Sequence, residues 1–461
     1  MKNVLPAFFE PHGFLRTCVL FAALLVLSGC AAKLPRGMVR DLEILPQDLT
    51  AYLDPTKTHD GLIPDTLGLP LSQQFLQRFF GPWSRTRPSL DPEEFAGYLS
   101  RAANRTVYGE NTLPRPASWA ERLAESADMN SLFTLNKHAI TVRHTALRLL
   151  PTNEAMFNDF SKPGEGFPFD MAQNSAVWAG TPLFVARLSR DQDWALVETH
   201  YASGWMPVTD MAFVDDAFIS RYTTGQYAAV VRDNTPVTLD QGSFLLRARI
   251  GMLLPLDAGP SDMPAGSERR VLVPVRTTEG NAATVPALLR AGSSALFPLD
   301  MSAWNVAALG NQMLGETYGW GGLFQKRDCS ATMQDLFTPF GIALPRNSKA
   351  QAQAGPFIPL DHFDARAKED AILQQGVPFA TLIYKPGHIM LYVGQRNGHP
   401  VILHNLWGLR GSDLDGPTPG RIVIGRTVIT SLTPGAERPD LVKPGGLLLE
   451  GVTGMTLLPK N

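Results

Sequence analysis

Near residue 130 the spacing of apolar residues changes, and that change commits the chain to a β-rich modular architecture behind a helical start. Before it, Phe75, Leu76, Phe79 and Phe80 recur at helical intervals. After it, Ala139-Ile140-Thr141-Val142, Leu183-Phe184-Val185-Ala186 and Trp194-Ala195-Leu196-Val197 read as short strands bounded by Gly, Pro, Asn or Asp. From Ser302 onward the pattern is mixed α+β. Proline (37) and glycine (40) are spread along the whole chain, which predicts short strands, many turns and little long helix. At 461 residues the chain is too long for one core, and roughly three to four domains are expected.

The first residues stand apart. Lys2 and Arg16 precede an apolar run from Cys18 to Leu27, then Ser28-Gly29 and Cys30. That order reads as a secretory signal over residues 1–29, to be left out of fold reasoning. It is similar to bacterial lipoproteins, which implies cleavage before Cys30 and acylation of that residue. Ala31 follows where an Asp would signal inner-membrane retention, so the expected location is the periplasmic face of the outer membrane, with the lipid anchor as the membrane partner. No second apolar stretch of about 18 residues follows that would suggest a spanning helix. Of the three cysteines only Cys329 then keeps a free thiol, so no internal disulfide is expected.

A formal net charge of -2 gives no electrostatic attraction to nucleic acid. Zinc-finger spacing, a Walker loop, GxGxxG and HExxH are all missing from the sequence, and no metal or cofactor is expected. The domains divide as a helical N-terminal domain over 30–125, two strand-rich units over 126–215 and 216–300, and an α+β unit over 301–461. In the first, Ser72 is read as the start of a helix stopped by Gly81-Pro82, Asp91 with Pro92 opens a second running to Ala103, and Ser118 with Glu121 forms a capping box for a third.

In the second unit Gly180-Thr181-Pro182, Asp193-Trp194 and Gly204-Trp205-Met206 follow one another in an order that resembles a bacterial SH3 domain. A loop within it, Glu165 to Asp170, is rich in aromatics and acids, and reads either as a plug on the barrel or as a wall facing substrate. Candidate strands Tyr227–Val231, Phe244–Ile250 and Arg270–Val275 make the third unit a second, divergent SH3-like barrel. Such barrels usually bind or position rather than catalyse.

The chemistry gathers in the last unit. Met333, Leu336, Phe337 and Phe340 fall on one helical face, so Cys329 sits in the first turn of a helix, where the dipole and free N–H groups are expected to lower its pKa. A thiolate nucleophile needs a base and a group to orient that base. His388 opens one strand and His404 ends the next. A two-residue turn at Asn397-Gly398 would put these histidines on opposite faces, so an odd-length loop or a bulge is required, and a three-residue loop centred on Arg396 would set them directly opposite.

Taken in order, YGWGG from Tyr318, DCS from Asp328, LPRNS, GHIMLYVG and ILHN resemble the NlpC/P60 family of cysteine peptidases over about residues 302–430. The resemblance implies a papain-like fold, Cys329 as nucleophile, His388 as base and His404 as the residue that orients it. It also implies Tyr318 near the oxyanion site, and Asp328, Ser330 and Trp320 lining the cleft. Two departures stand out: DCSA replaces the usual DCSG, and Gly376-Val377-Pro378 lacks the family's acidic residue. The expected reaction is hydrolysis of the γ-D-glutamyl–diamino acid bond of peptidoglycan stem peptides through a thioester, by a monomer. The first barrel is expected to read a free N-terminal L-alanine through Glu165 or Asp170. A non-catalytic wall-binding lipoprotein and an amide or acyl transferase on the same triad remain open.

Overall fold

The computed structural model describes residues 39–129, 135–162, 164–257, 267–412 and 419–458; the expected signal segment, with Cys18 and the lipidation candidate Cys30, lies outside them. Among the described residues no helix is long and apolar enough to cross a membrane.

The N-terminal segment is helical but its caps differ from expectation. The helix Asp65–Phe79 begins well before Ser72, whose hydroxyl instead bonds back to the Leu69 carbonyl. Ser118 lies inside the helix Ala117–Ala127, after Pro116, with no side-chain cap. Asp91 does cap Pro92–Asn104, accepting from Glu93 N. Phe75 and Phe79 pack on Ala229 and Leu253 of the second barrel, and Trp83 Nε1 donates to the Ala139 carbonyl of the first. Farther upstream, Leu49 enters the catalytic core beside Met313 and Leu403, and Gln47 exchanges two hydrogen bonds with the backbone of Ile429. The segment is a clasp that spans all three following units.

The first SH3-like unit is a seven-stranded antiparallel sheet: β1 (Lys137–Thr141), β2 (Thr145–Arg148), β3 (Gln173–Val177), β4 (Pro182–Leu188), β5 (Trp194–Glu198), β6 (Ser203–Pro207) and β7 (Met211–Phe213), in the order β3-β2-β6-β5-β4-β1-β7. The second has two sheets. β9 (Thr235–Thr238), β10 (Phe244–Ala248), β12 (Arg269–Arg276) and β13 (Ala282–Leu289) form one, and β8 (Tyr227–Val230), β11 (Leu253–Pro255) and β14 (Ser294–Leu296) the other. Val230, Val237, Val271 and Leu289 share its core with Trp178, which projects from the first barrel.

In the catalytic unit, Ser302 caps the helix Ala303–Met313, and Cys329–Phe337 packs beside it. Both rest on a six-stranded antiparallel sheet ordered β15-β20-β16-β17-β18-β19. Its strands are β15 (Phe357–Pro359), β16 (Thr381–Lys385), β17 (His388–Arg396), β18 (His399–Ser412), β19 (Pro419–Ser431) and β20 (Gly454–Leu457). β18 and β19 exceed the short strands that the Pro and Gly content predicts, because no proline interrupts them between Val401 and Ser412 or between Gly420 and Ser431.

The histidines reach one face by a bulge, not by the three-residue loop. Arg396 pairs with His399 across the two-residue turn Asn397-Gly398, and the register then slips between Tyr392 and Gly394, where Gly394 takes a φ of 136°. Beyond the slip Leu391 pairs with Leu403. One inserted residue exchanges the faces of everything after it, so His388 and His404 come to the same side.

A buried charge cluster joins the units. Arg327 is fully buried and spends all five N–H donors: on Asp335 at 2.6 Å, on Asp233 at 2.7 and 3.0 Å, on Glu316 at 2.7 Å and on the Ile250 carbonyl at 2.9 Å. Arg249 adds a 2.6 Å bond to Glu316. Asp335 also accepts from Trp178 Nε1, and the guanidinium groups of Arg249 and Arg327 lie over that indole. Burial opposes the Arg327 charge, yet Asp233, Asp335 and Glu316 together hold its pKa well above the arginine range. Burial also pushes the Asp335 carboxyl up, and Arg327 offsets only part of this.

Removing one partner of such a group strands the others in a poorly solvated site. Arg327→Met is expected to lose about 3–5 kcal/mol of stability in denaturant melts at pH 7. The stranded carboxyls then have folded pKa values above their unfolded ones, so the deficit narrows as pH falls toward about 4.5. A deficit that does not change with pH contradicts this reading.

Candidate active site

Cys329 is the first residue of its helix, and the local sequence explains why the helix starts there. Asp328 has extended backbone (φ −95°, ψ −171°) and caps the helix by accepting from Ala331 N at 2.9 Å. The same carboxylate accepts from Gly321 N at 3.1 Å and Ser330 Oγ at 3.1 Å, and takes a two-pronged hold from Arg346 at 3.1 and 2.7 Å. Arg346, from the LPRNS run, also donates to Ser330 Oγ at 2.9 Å and to Ser175 Oγ of the first barrel at 2.8 Å. Asp328 and Ser330 are therefore buried framework that holds the nucleophile's helix.

The YGWGG loop is shaped by its contact with that barrel. Gly321 and Gly322 have positive φ, and a Cβ on Gly322 would collide with the backbone of Ala176. Gln173 Nε2 reaches the Gly321 carbonyl at 2.9 Å. Tyr318 is pinned through its N–H to the Gly425 carbonyl at 2.9 Å, its ring 6.1 Å from that of Trp407. From the next strand Asn405, of ILHN, donates to the Arg327 carbonyl at 2.8 Å.

The two histidines form the start of a hydrogen-bond chain. His388 Nε2 and His404 Nδ1 are 2.9 Å apart, and His404 Nε2 lies 3.1 Å from Thr430 Oγ1. Thr430 Oγ1 lies 2.7 Å from the Ser431 carbonyl, which only accepts. A hydroxyl has one proton, so the shorter bond to a pure acceptor takes it, and Thr430 must accept from His404 Nε2–H. His404 Nδ1 then accepts from His388 Nε2–H, which leaves the His388 Nδ1 lone pair free. Thr430 was not singled out from sequence, because a threonine on a strand carries no local signal of what lies across the sheet. Its neighbour Ser431 is held through N–H and Oγ by the buried carboxylate of Asp41, both at 2.7 Å.

The electrostatics correct one expectation. The Cys329 thiol is pushed up to about 12, by burial first and then by the Asp328 charge, with the Ile389 N–H only partly offsetting them. Burial and the capping carboxylate together thus outweigh the N–H groups at the helix start. Burial pushes His388 down to about 3, with Lys385 adding to the effect, and His404 falls well below the usual range for the same reason. The resting pair is neutral thiol and neutral imidazole. Tyr318 is raised by burial and by the nearby Cys329 and Asp328.

The Glu165–Asp170 loop borders this site through its aromatics. Phe169 meets Trp320 at 5.2 Å and Trp407 at 6.2 Å, and Phe167 meets Trp407 at 6.3 Å. Trp320 is 36% and Phe167 53% exposed, so this wall is open to a ligand. Asp170 is withdrawn as an amine reader: it is 1% exposed, bonded to Arg148 at 2.6 Å and to the N–H groups of Met156 and Ala172. Glu165 accepts from Asn158 Nδ2 at 2.7 Å and faces Arg421.

Comparison with known proteins matches four family descriptions along the chain. They are the NLPC_P60 stabilising domain, N term, over residues 17–131, the SH3 domain (SH3b1 type) over 155–207, the SH3 domain of SH3b2 type over 215–259, and the NlpC/P60 family over 315–415. No curated protein matches the chain. Among solved structures, an NlpC/P60 endopeptidase from Photobacterium damselae subsp. piscicida shares the fold with a TM-score of 0.79 at 24% identity, over 89% of this chain and 96% of that one. An NlpC/P60 family protein from Bacillus cereus aligns at a TM-score of 0.44 and 17% identity, over 69% of this chain and 99% of that one. With its stabilising segment, two SH3b modules and a Cys-bearing α+β unit in that order, the chain belongs to the NlpC/P60 family of cysteine peptidases.

Proposed function

We propose that this chain is a peptidoglycan hydrolase that cleaves the γ-D-glutamyl–diamino acid bond of stem peptides through a thioester on Cys329. The observation that carries the reading is the chain from Ser431 through Thr430 and His404 to His388, which leaves His388 Nδ1 unprotonated on the strand against which the Cys329 helix packs. Because thiol and imidazole are both neutral at rest, proton transfer accompanies attack. Sγ bonds to the scissile carbonyl carbon while His388 Nδ1 takes its proton, and the proton passes to the leaving amine as the C–N bond breaks. Water then resolves the thioester. The Cys329 N–H, at a helix start where no intrahelical acceptor exists, and the Tyr318 hydroxyl are the donors assigned to the oxyanion.

The aromatic wall of Phe167, Phe169, Trp320 and Trp407 supports a restricted cleft that takes released stems with a free N-terminal L-alanine. With Asp170 committed to Arg148, Glu165 is the remaining candidate for the amine. Lipidation at Cys30 and attachment to the periplasmic face of the outer membrane complete the proposal.

Digestion of stem peptides with free or acetylated L-alanine, followed by mass spectrometry, tests the substrate. Cleavage of the free-amine peptide alone, abolished in Cys329→Ala, is the expected result; equal cleavage of both removes the amine-reading role, and no cleavage of either removes the stem-peptide reading. An added amine acceptor that diverts product to a new amide would assign transfer instead of hydrolysis.

The base is held below the ordinary histidine range, so it stays unprotonated as pH falls. The acid limb of kcat/KM is expected below pH 6.5, and a limb at or above that value contradicts the neutral-pair account.

Thr430→Val deprives His404 Nε2–H of its acceptor and frees the pair to take the opposite tautomers, which blocks His388 Nδ1. An approximately tenfold loss of kcat with KM little changed is expected, restored in Thr430→Ser, the scale of one lost hydrogen bond. Equal loss in both variants would reduce Thr430 to a packing role.

A further inference from the structure

Resting on the peptidase reading, we propose that Lys385, Arg410 and Arg421 form an anion subsite at the rim of the Cys329 cleft that holds a carboxylate of the peptide flanking the scissile bond. Arg410 and Arg421 are direct cross-strand partners on β18 and β19, both exposed. Like charges placed opposite each other on a sheet destabilise it, so this pair costs the fold something. Lys385 ends β16 as the cross-strand partner of His388. Its aliphatic stem lies against Gly451, where a Cβ would come within 2.6 Å of Cε. The Arg421 guanidinium lies on Gly164, where a methyl group would collide with it, next to Glu165. None of the three cations forms an ion pair within 4.0 Å with a described residue.

Charge interactions and packing relate these cations to the cleft from two sides. On one side Arg421 acts on Lys385, and Lys385 acts on His388. On the other Arg421 adjoins the loop whose Phe167 and Phe169 abut Trp407, which packs on Tyr318, which in turn senses Cys329. Lys385 thus stands beside His388 by register, and Arg421 beside the loop that carries Phe167 and Phe169. Burial first, and then repulsion from Arg421 on Lys385 and from Arg410 on Arg421, hold both below their ordinary pKa ranges, with Glu165 offsetting part of the effect on Arg421; a bound carboxylate relieves the remainder. A γ-D-glutamyl–diamino acid bond is flanked by two such groups: the α-carboxylate of the glutamyl residue and the carboxylate of the diamino acid.

Two measurements on the full chain decide the matter. The first compares alkylation of Cys329 by anionic iodoacetate and neutral iodoacetamide, which needs no peptide substrate. In Arg421→Gln and Lys385→Gln the iodoacetate-to-iodoacetamide rate ratio is expected to fall about threefold or more at low salt, and in wild type to collapse as salt is raised. A ratio equal to wild type in both variants overturns the subsite. The second measures kcat/KM on the parent stem peptide, its glutamyl α-carboxamide and its diamino acid carboxamide. Wild type is expected to lose about tenfold on one amidated peptide, which names the carboxylate held, and Arg421→Gln to erase that difference. Equal rates on all three peptides in wild type, or a uniform loss in the variant, overturn the subsite. Failure to cleave any peptide would overturn the peptidase reading alone, and the alkylation ratio would still decide whether the anion subsite exists.

Discussion

The start of the Cys329 helix is referenced to one buried guanidinium. Arg327 immediately precedes the helix cap Asp328, and its five donors tie it to Asp233 and Ile250 of the second barrel and to Glu316 and Asp335 of the catalytic unit. Through Asp335 and Trp178 the first barrel joins the same cluster. A buried ion pair contributes little net stability over an apolar substitute, but it tolerates only one geometry, because any misplaced partner is left charged and unsolvated. The cluster therefore fixes the start of the Cys329 helix against both barrels, and Arg346 repeats the device one residue on by linking Asp328 to Ser175.

That rigidity sets the character of the site. Burial raises the Cys329 thiol first, and the carboxylate that caps its helix adds to the rise, so firm placement of the nucleophile comes with a neutral resting state. Reactivity must then come from the base and its orientation. The bulge at Gly394 brings the two histidines to one face, and the Thr430–Ser431 end of the chain fixes which nitrogen carries each proton. Asp41, from the N-terminal segment, holds Ser431 in turn, which ties the clasp to the catalytic relay by three consecutive partners.

Much of this was legible in the chain itself. The period change near residue 130, the tryptophan-spaced strands and the helical face after Cys329 are local patterns, and each became the expected element. Parity alone required an irregularity between His388 and His404, although its form, a bulge and not a longer loop, depends on a glycine whose φ no pattern reveals. The misread features share a cause. Ser72 and Ser118 look like caps but lie inside helices that tertiary packing extends. Asp170 looks like a free acid in an open loop, yet Arg148 claims it from 22 residues away. Thr430 and Arg346 act through partners distant in sequence, so spacing could not name their roles.

The account turns on a covalent acyl intermediate at Cys329, and the most direct measurement is peptide mapping by mass spectrometry of enzyme acid-quenched during turnover of a stem peptide. An L-alanyl-γ-D-glutamyl group on the Cys329 peptide is the predicted result. An acyl group on any other residue, or undiminished cleavage by enzyme whose Cys329 has been fully alkylated, would contradict it.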